Sequence, residues 1–184
     1  MTRKARPATP GTKTANDIEA MIRVDHAGEY GAVRIYEGQL AVLGTRGTAA
    51  TDAIRHMAEQ EQRHLKTFDA LVNARRVRPT ALEPVWRIAG FALGAATALL
   101  GEKAAMACTA AVEEVIDEHY ASQVAQLGAR DPELSATVED FRAEEVAHRD
   151  AALAHGAQEA PGYRLLSEAI KAGCRVAIRL SEKI

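Results

Sequence analysis

The amino-acid sequence predicts an all-α fold: a four-helix bundle built from a duplicated helix pair, with an added apolar helix and a C-terminal helix. Apolar residues make up 47% of the 184 residues, and much of that fraction is alanine, the strongest helix former. The sequence has no alternating strand pattern and no Gly-rich phosphate loop. One set of carboxylate and histidine residues also occurs twice with constant spacing.

Capping residues, glycines and prolines mark the expected helix ends. Polar residues open the first two helices, and a glycine closes the first. Prolines open the third and the last helix, and an Asp-Pro pair opens the fifth. The expected helices run from Asn16 or Asp17 to about Leu43, from Asp52 to about Arg76, from Pro84 through the uncharged run 88–101, from Glu102 or Thr109 to about Leu127, from Asp131 to about His155, and from Pro161 to Ser181.

Residues 1–15 are expected to form a disordered basic tail, followed by one bundle domain over residues 16–184. The tail has no acidic residue and lacks the apolar core of a secretory signal. The formal net charge of −2 argues against a nucleic acid as partner. Cys108 and Cys174 form no Cys-x-x-Cys motif, so two free thiols are expected.

The repeated polar set consists of a glutamate and, further along the chain, the motif Glu-x-x-His. The first copy stands at positions 29, 61 and 64, and the second at 113, 145 and 148. Each residue of the second copy follows its counterpart in the first by the same number of residues, and this constant separation is the repeat offset. Tyr36 and Gln39 recur at this repeat offset as Tyr120 and Gln123. Bundles that hold two metal ions use one Glu from each of two helices and a Glu-x-x-His from each of the other two. The predicted ligands are Glu29, Glu61, His64, Glu113, Glu145 and His148.

Helical geometry separates these ligands from neighbouring acids. Residues i and i+3 lie on one face, so each Glu-x-x-His can converge on one ion. Glu114 and Glu144 point about 100° away from the adjacent ligands, and they are expected to bind water or to form pairs outside the ligand set. A single Glu-x-x-His would more often be a solvated surface feature. Tyr36 and Tyr120 could bond a ligand carboxylate or be core tyrosines with satisfied hydroxyls.

The charge balance of the site favours a particular class of ion. Four ionised glutamates in a bundle core repel one another, and two divalent cations would neutralise them. A carboxylate-rich site with one imidazole per ion suits iron or manganese better than zinc. Iron is the preferred prediction because this ligand set leaves open positions for oxygen. Glu61 and Glu145 are expected to bridge the ions, with Glu29 and Glu113 terminal.

Several segments resemble the demethoxyubiquinone hydroxylases of ubiquinone biosynthesis, over about residues 18–184. The longest is IRVDHAGEYGAVRIY, from Ile22 to Tyr36. The others are RVRPT (76–80), GFALGA (90–95), TALLG (97–101), AMACT (105–109), VEE (112–114) and AGCRVAI (172–178). The iron ligands of that family fall on the six residues that the spacing selects.

The resemblance implies a ferritin-like fold and a di-iron monooxygenase. The implied reaction is hydroxylation of the ring of a polyprenyl demethoxyubiquinol, the penultimate step before ubiquinone. It would use two Fe ions per chain and O2 as co-substrate, with the quinol itself or NADH as reductant. Tyr120, with His119 beside it, is a candidate for the electron or proton path.

The same resemblance implies a peripheral membrane protein. The expected location is the cytoplasmic face of a bacterial cell membrane, or the matrix side of the mitochondrial inner membrane for a processed eukaryotic form. The expected partners are the polyprenyl quinol, the membrane surface and a lipid-binding ubiquinone-biosynthesis protein, with a homo-oligomer left open. No nucleic acid is expected.

The uncharged run 88–101 is too short to span a bilayer, which takes roughly 20 residues. An interfacial helix or a partner contact is preferred for it, and a buried core helix is the alternative. Iron storage or peroxide detoxification by a ferritin-like bundle would share every ligand but has little use for this apolar run. A metal-free lipid-binding or scaffold module would leave the duplicated glutamates unexplained.

Overall fold

In the computed structural model, which describes residues 13–184, the chain forms six α-helices and no strand. The helices are α1 (Lys13–Leu43), α2 (Ala49–Arg75), α3 (Glu83–Leu99), α4 (Glu102–Leu127), α5 (Pro132–Ala154) and α6 (Tyr163–Ser181). Two short 3-10 helices, Gly128–Arg130 and Ala157–Glu159, flank α5. The predicted all-α bundle is confirmed for this part of the chain. Residues 1–12 of the predicted basic tail lie outside it.

Most predicted helix ends agree with the structure to within a few residues. Helix α1 begins at Lys13, so Asn16 and Asp17 lie inside its first turns and do not cap it. Helix α4 begins at Glu102, the earlier of its two predicted starts. Helix α6 begins just after Pro161, behind a glycine in the left-handed region.

The predicted cap of α2 is wrong. Thr48, not Asp52, is the N-cap: it has extended backbone, and its Oγ1 accepts the N–H of Thr51 at 3.2 Å. Asp52 lies in the first turn and pairs with Arg55 at 2.6 Å. The threonine hydroxyl satisfies an end amide that has no partner within the helix, which makes the earlier start favourable. At α5 the predicted cap is correct, because Asp131 accepts the N–H of Leu134 at 3.1 Å.

The four-helix bundle consists of the hairpins α1–α2 and α4–α5, and two of its three apolar clusters lie at opposite ends. One cluster lies where α1 ends and α2 begins, and it contains Tyr36, Leu43 and Met57. The other lies toward the opposite end and contains Ile22 and Phe68. Between them runs a belt of buried polar side chains from all four helices, which holds the candidate site.

Helix α3 crosses α1 at glycine contacts. A Cβ at Gly90 would lie 2.9 Å from the carbonyl oxygen of Gly31, and one at Gly94 would collide with that of Ile35. On α1, a Cβ at Gly38 would collide with the carbonyl oxygen of Phe91. The two backbones can approach this closely only because these positions carry no side chain. One face of α3 is therefore packed against the bundle.

A third pair of helices corresponds in position, which the sequence reading did not predict. At the repeat offset, the positions of α3 correspond to positions of α6, which packs on α4 much as α3 packs on α1. The counterparts of Gly90 and Gly94 are Cys174 and Ile178, and the counterpart of Gly31 is Val115. The two outer helices thus correspond in position but not in sequence, and the contact glycines occur on the α1–α3 side.

The uncharged run divides between core and surface. Gly90, Gly94, Thr97 and Ala98 are buried, and Leu93 is partly buried against an apolar cluster. Leu99 and Leu100, in contrast, are 74% and 69% exposed. The run is therefore neither a wholly buried core helix nor wholly exposed. Among the described residues, no helix has both the length and the apolar character needed to cross a membrane.

Candidate metal centre

The structure brings the six predicted ligands together in the polar belt. Each of the four bundle helices contributes at least one, and all six residues are at most 2% exposed. The two Glu-x-x-His motifs lie on α2 and α5, where a spacing of three residues places both side chains on the inward face. The six are Glu29, Glu61, His64, Glu113, Glu145 and His148.

The side chains form two overlapping groups of four, and in each group the candidate ligand atoms lie within 4.8 Å of one another. The first group is Glu29, Glu61, His64 and Glu145, and the second is Glu61, Glu113, Glu145 and His148. Glu61 and Glu145 belong to both groups. This is the arrangement of two neighbouring cation sites with two shared carboxylates.

Both histidines point Nδ1 into the cluster. His64 Nδ1 lies 3.1 Å from Glu145 Oε1 and 3.4 Å from Glu29 Oε2. His148 Nδ1 lies 3.1 Å from Glu61 Oε1 and 3.0 Å from Glu145 Oε2. A shared position within reach of one imidazole nitrogen and several carboxylate oxygens suits a hard divalent ion such as iron or manganese.

Unsatisfied carboxylate oxygens support the same interpretation. Within residues 13–184, both oxygens of Glu61 and one oxygen each of Glu29, Glu113 and Glu145 are buried without a hydrogen-bond partner. Buried polar atoms are normally paired, and a site for an ion is a common reason for an exception. The donor set therefore fits two cations in its chemistry as well as in its spacing.

Burial and mutual repulsion shift the pKa values in the cluster. Burial, followed by the charge of Glu145, raises the pKa of Glu61 well above its ordinary value. The pKa of Glu113 is raised for the same two reasons. Burial alone would lower the pKa of His64, but the adjacent carboxylates of Glu145 and Glu29 outweigh it and raise that pKa to about 10. Without a cation, this cluster balances its charge by holding protons.

The outer nitrogens of the two histidines have different partners. His64 Nε2 lies 3.0 Å from Glu144 Oε2, and His148 Nε2 lies 3.1 Å from Gln60 Oε1. Such outer partners fix the orientation of a ligand imidazole. The expectation that Glu144 forms a pair outside the ligand set is confirmed. Gln60 was missed, although its position at the repeat offset from Glu144 was available as a signal.

Glu114, the other acid next to a predicted ligand, lies outside the cluster. Its carboxylate accepts a hydrogen bond from Lys171 of α6 at 2.7 Å. Cys108 and Cys174 are free thiols, as expected, and both contribute to the apolar cluster between α4 and α6.

The duplicated tyrosines contact the terminal glutamates of the opposite repeat. The Tyr36 hydroxyl donates to Glu113 Oε1 at 2.8 Å, and the Tyr120 hydroxyl donates to Glu29 Oε1. Both rings are buried in apolar clusters. The two alternatives for these tyrosines are therefore both correct: each is a core ring whose hydroxyl is satisfied by a candidate ligand.

The duplicated glutamines mark a difference between the two ends of the site. On the Glu113 side, Gln39 Nε2 donates to Thr109 Oγ1 at 3.3 Å. On the Glu29 side, Gln123 Nε2 donates to Asp25 Oδ1 at 2.6 Å and lies 2.9 Å from His119 Nε2. A fully buried carboxylate thus takes the place of a threonine. Burial raises the pKa of Asp25 above its ordinary value, although the contact with His119 opposes this.

His119 connects this polar end to the surface. Its side chain is 18% exposed and lies 3.4 Å from Asp25 Oδ1. It lines a cavity of about 320 Å³ between α4 and α6, together with Val115, Arg175 and Ile178. Its counterpart in the first repeat is Ile35, which is 8% exposed and lies beneath Gly94 of α3. The Glu29 end therefore has ionisable side chains that lead to a surface cavity, and the equivalent position at the Glu113 end is a buried isoleucine.

Comparison with known proteins agrees with this geometry. Residues 16–181 match the family model "Ubiquinone biosynthesis protein COQ7". A 3-demethoxyubiquinol 3-hydroxylase of Rhodospirillum rubrum is 56% identical over 185 residues, which cover 95% of this chain and 87% of the relative. An NADPH-dependent 3-demethoxyubiquinone 3-hydroxylase, mitochondrial, of Mus musculus is 54% identical over 170 residues, covering 90% and 77% of the two chains.

The similarity extends to yeast. A 5-demethoxyubiquinone hydroxylase, mitochondrial, of Saccharomyces cerevisiae is 42% identical over 182 residues, covering 91% of this chain and 78% of the relative. The family model and these relatives span all four bundle helices and the two helices that pack on them. The chain therefore belongs to the family of ubiquinone biosynthesis protein COQ7.

Proposed function

We propose that the protein is a di-iron monooxygenase that hydroxylates the ring of a polyprenyl demethoxyubiquinol with O2, the penultimate step of ubiquinone biosynthesis. The observation that carries the proposal is the buried cluster of two overlapping ligand groups with shared carboxylates. The names of the R. rubrum, mouse and yeast relatives supply the substrate class. Each of those proteins is a hydroxylase that acts on a demethoxyubiquinone or its quinol.

In this proposal, Glu29 and His64 hold one iron, and Glu113 and His148 hold the other. Glu61 and Glu145 would be ligands to both ions, since they lie in both groups. Bound ferrous iron would supply the electrons that activate O2. The carboxylates provide hard anionic ligands for the oxidised state, and the hydrogen bonds from the two tyrosines keep the terminal glutamates in position.

The overall reaction consumes protons and electrons. A ring C–H, O2, two electrons and two protons give a ring C–OH and one water. The electrons come from the quinol or from NADH. The mouse relative is named as NADPH-dependent, which favours a nicotinamide donor. No Rossmann fingerprint occurs in the sequence, so such a donor would bind in another way.

Tyr120 and His119 are the residues we assign to proton or electron transfer between the surface and the site. His119 lines the open cavity, and the Tyr120 hydroxyl donates to Glu29. Asp25 is buried beside His119 and can hold a proton, because its pKa is raised by burial. On the Glu113 side, the positions equivalent to Asp25 and His119 are Thr109 and Ile35, so neither carries an ionisable side chain.

The proposed location is the membrane surface, because a polyprenyl quinol is held in the bilayer. In a bacterium this is the cytoplasmic face of the cell membrane, and in a mitochondrion the matrix side of the inner membrane. Exposed Ile88, Phe91 and Leu99 on α3, with Leu100 directly after it, give an apolar surface for this contact. The same surface could also bind a lipid-binding ubiquinone-biosynthesis protein or a second copy of the chain, and both are further proposed partners.

Replacing Leu99 and Leu100 by serine together tests the membrane contact. Both side chains are exposed, so iron content and melting temperature should change little while binding to liposomes falls. Full burial of one such side chain is worth about 1.5–3 kcal/mol, and a two-leucine change should be easy to detect by flotation. Unchanged flotation of the double variant would contradict the contact.

The function itself is tested with purified, iron-loaded protein, demethoxyubiquinol and 18O2. We expect the hydroxylated quinol to carry one 18O atom, and the reaction to depend on ferrous iron. If O2 were consumed while the quinol stayed unmodified and ferric iron accumulated, the protein would be an iron-storage or peroxide-detoxifying bundle. A matched assay with the Glu61→Ala variant controls for free iron in solution.

A further inference from the structure

The two candidate ligand histidines occupy equivalent positions in the repeats but face different chemical groups. The outer nitrogen of His64 meets the carboxylate of Glu144, and that of His148 meets the carboxamide of Gln60. Gln60 and Glu144 are separated by the repeat offset, so they are themselves counterparts in the duplication. The partner therefore stands at the same position in both repeats, but it is neutral in the first and acidic in the second.

The hydrogen bonds around Glu144 determine which atom accepts the outer N–H of each histidine. Gln60 Nε2 donates to Glu144 Oε2 at 3.0 Å, which leaves Gln60 Oε1 to accept the N–H of His148. Arg63 forms an ion pair with Glu144 and favours its ionised state. The position equivalent to Arg63 is Ala147, so this arginine has no counterpart in the second repeat. Both outer nitrogens therefore act as donors, one to an anion and one to a neutral carbonyl.

We infer that Glu144 and Gln60 are positioning residues that make the two metal subsites unequal, with the His64 subsite the tighter and the first to fill. This inference rests on the proposed metal centre. An imidazole whose outer N–H donates to a carboxylate is a more basic ligand than one that donates to an amide, because the anion stabilises positive charge on the ring. The shared ligands Glu61 and Glu145 contribute to both subsites.

The hydrogen bonds to Glu29 and Glu113 are symmetric. Each terminal glutamate, Glu29 or Glu113, accepts a hydrogen bond from a tyrosine hydroxyl of the opposite repeat. The partners of the two histidines, in contrast, differ in charge, and both contact a candidate ligand directly. Outer partners of this kind typically change metal affinity by about 10–100-fold when removed, and we expect an affinity ratio in that range.

Cobalt(II) provides a direct probe, because it binds the same kinds of ligands and absorbs visible light when bound. Anaerobic titration of the unsubstituted chain first shows whether two equivalents bind. The His148→Ala variant keeps the His64 subsite intact, and the His64→Ala variant keeps the other. We expect the His148→Ala variant to bind cobalt about 10–100-fold more tightly than the His64→Ala variant. Circular dichroism establishes that both variants retain the helical fold.

Substitution of the partners assigns the cause. Glu144→Gln should weaken cobalt binding in the His148→Ala background by about 10–100-fold and leave the His64→Ala background nearly unchanged. Gln60→Glu should strengthen binding in the His64→Ala background. Glu114→Gln is the matched control, since it removes the same charge beside a terminal ligand, but from a residue that bonds Lys171.

The outcomes separate the inference from the proposed centre. If the unsubstituted chain binds no cobalt, the metal centre is wrong and the inference falls with it. If two equivalents bind but the two single-histidine variants have equal affinities, the centre stands and the inequality is overturned. Equal weakening of both subsites by Glu144→Gln would also overturn it, because the effect would then be one of net charge.

Discussion

The two halves of the candidate centre carry the same side chains in different surroundings. On the Glu29 side, the Tyr120 hydroxyl contacts the glutamate, and a buried Asp25 lies next to His119, which lines a cavity. Around Glu113, the corresponding positions are Thr109 and Ile35, and α3 packs over Ile35. The inward faces of the helices have stayed alike, while the residues one turn further out have diverged.

The outer helices account for much of this difference. Helix α3 fits closely over α1 because glycines occupy the contact positions on both helices. Cys174 and Ile178 occupy the equivalent positions in α6, and Ile178 lines the cavity beside His119. A change from glycine to larger side chains is thus associated with a change from a covered end to an open one. The two sets of candidate ligands are alike and buried, and helix packing decides which of them has a surface cavity near its end.

Removal of a shared ligand should have the largest effect, because it affects both halves at once. Glu61→Ala or Glu145→Ala should lose both metal ions and the activity, since these two glutamates belong to both ligand groups. Metal analysis and the hydroxylation assay measure this. Glu114→Ala should leave metal content near that of the unsubstituted chain. Loss of metal in Glu114→Ala with retention in Glu113→Ala would contradict the assigned ligand set.

The tyrosine pair tests whether the two halves have different roles. Tyr120→Phe and Tyr36→Phe each remove one hydrogen bond to a terminal glutamate, worth about 1.5–3 kcal/mol when the acceptor is charged. Their metal content should be similar. Turnover should fall by about tenfold or more only in Tyr120→Phe, since proton transfer by a positioned group contributes about 10²–10⁴ and only this half leads to His119. Equal turnover of the two variants would remove the functional distinction between the halves.

Glycine substitutions test the packing difference. Gly94→Ala should destabilise the protein by about 1–3 kcal/mol, the usual cost of overpacking, because its Cβ would collide with the Ile35 carbonyl oxygen. Gly173→Ala is the matched control in α6: no described atom lies within 4 Å of its Cβ position. Alanine there should stabilise the helix by up to about 1 kcal/mol. Chemical denaturation measures both, and equal effects would contradict the close α1–α3 contact.

The pH dependence of the metal-free protein tests the charge state of the cluster. The pKa of His64 is raised to about 10 in the folded chain, against an ordinary value of about 6.5. Its contribution to stability is therefore complete below pH 6.5 and is lost as the pH rises toward 10. The raised pKa values of Glu61 and Glu113 act in the same direction above pH 4.5. Melting temperatures of the metal-free chain should fall across this range.

Metal-loaded protein is the control for this pH series. A metal-bound imidazole is neutral and carries no proton on its ligand nitrogen, so the stabilisation from protonated His64 should be absent. We expect a smaller change in melting temperature between pH 6.5 and 10. A metal-free chain that becomes more stable over this interval would contradict the raised pKa of His64.

The ligand constellation could be predicted from the sequence because it depends on local geometry and on repetition. The i, i+3 spacing places Glu61 and His64 on one face, and the constant repeat offset distinguishes the inward glutamates from Glu114 and Glu144. The all-α fold followed from alanine-rich, strand-poor composition. The outer histidine partner Gln60 could have been found with the same offset.

Long-range packing could not be predicted in this way. The glycine contacts of α3 appear only when two helices cross, so the run 88–101 could be assigned to a surface or to the core but not divided between them. The cap at Thr48 required knowledge of its backbone conformation. The buried position of Asp25 depends on α1 and α4 meeting in the folded chain, and a single sequence has no sign of this contact.

The most direct test of the shared centre is the number and coupling of the irons bound by the purified chain. Anaerobic loading with ferrous iron, followed by metal analysis and Mössbauer spectroscopy, measures both. Two irons per chain are expected, and after oxidation they should be magnetically coupled, because Glu61 and Glu145 are shared between the two ligand groups. Two uncoupled irons, or a single iron per chain, would contradict a centre bridged by these carboxylates.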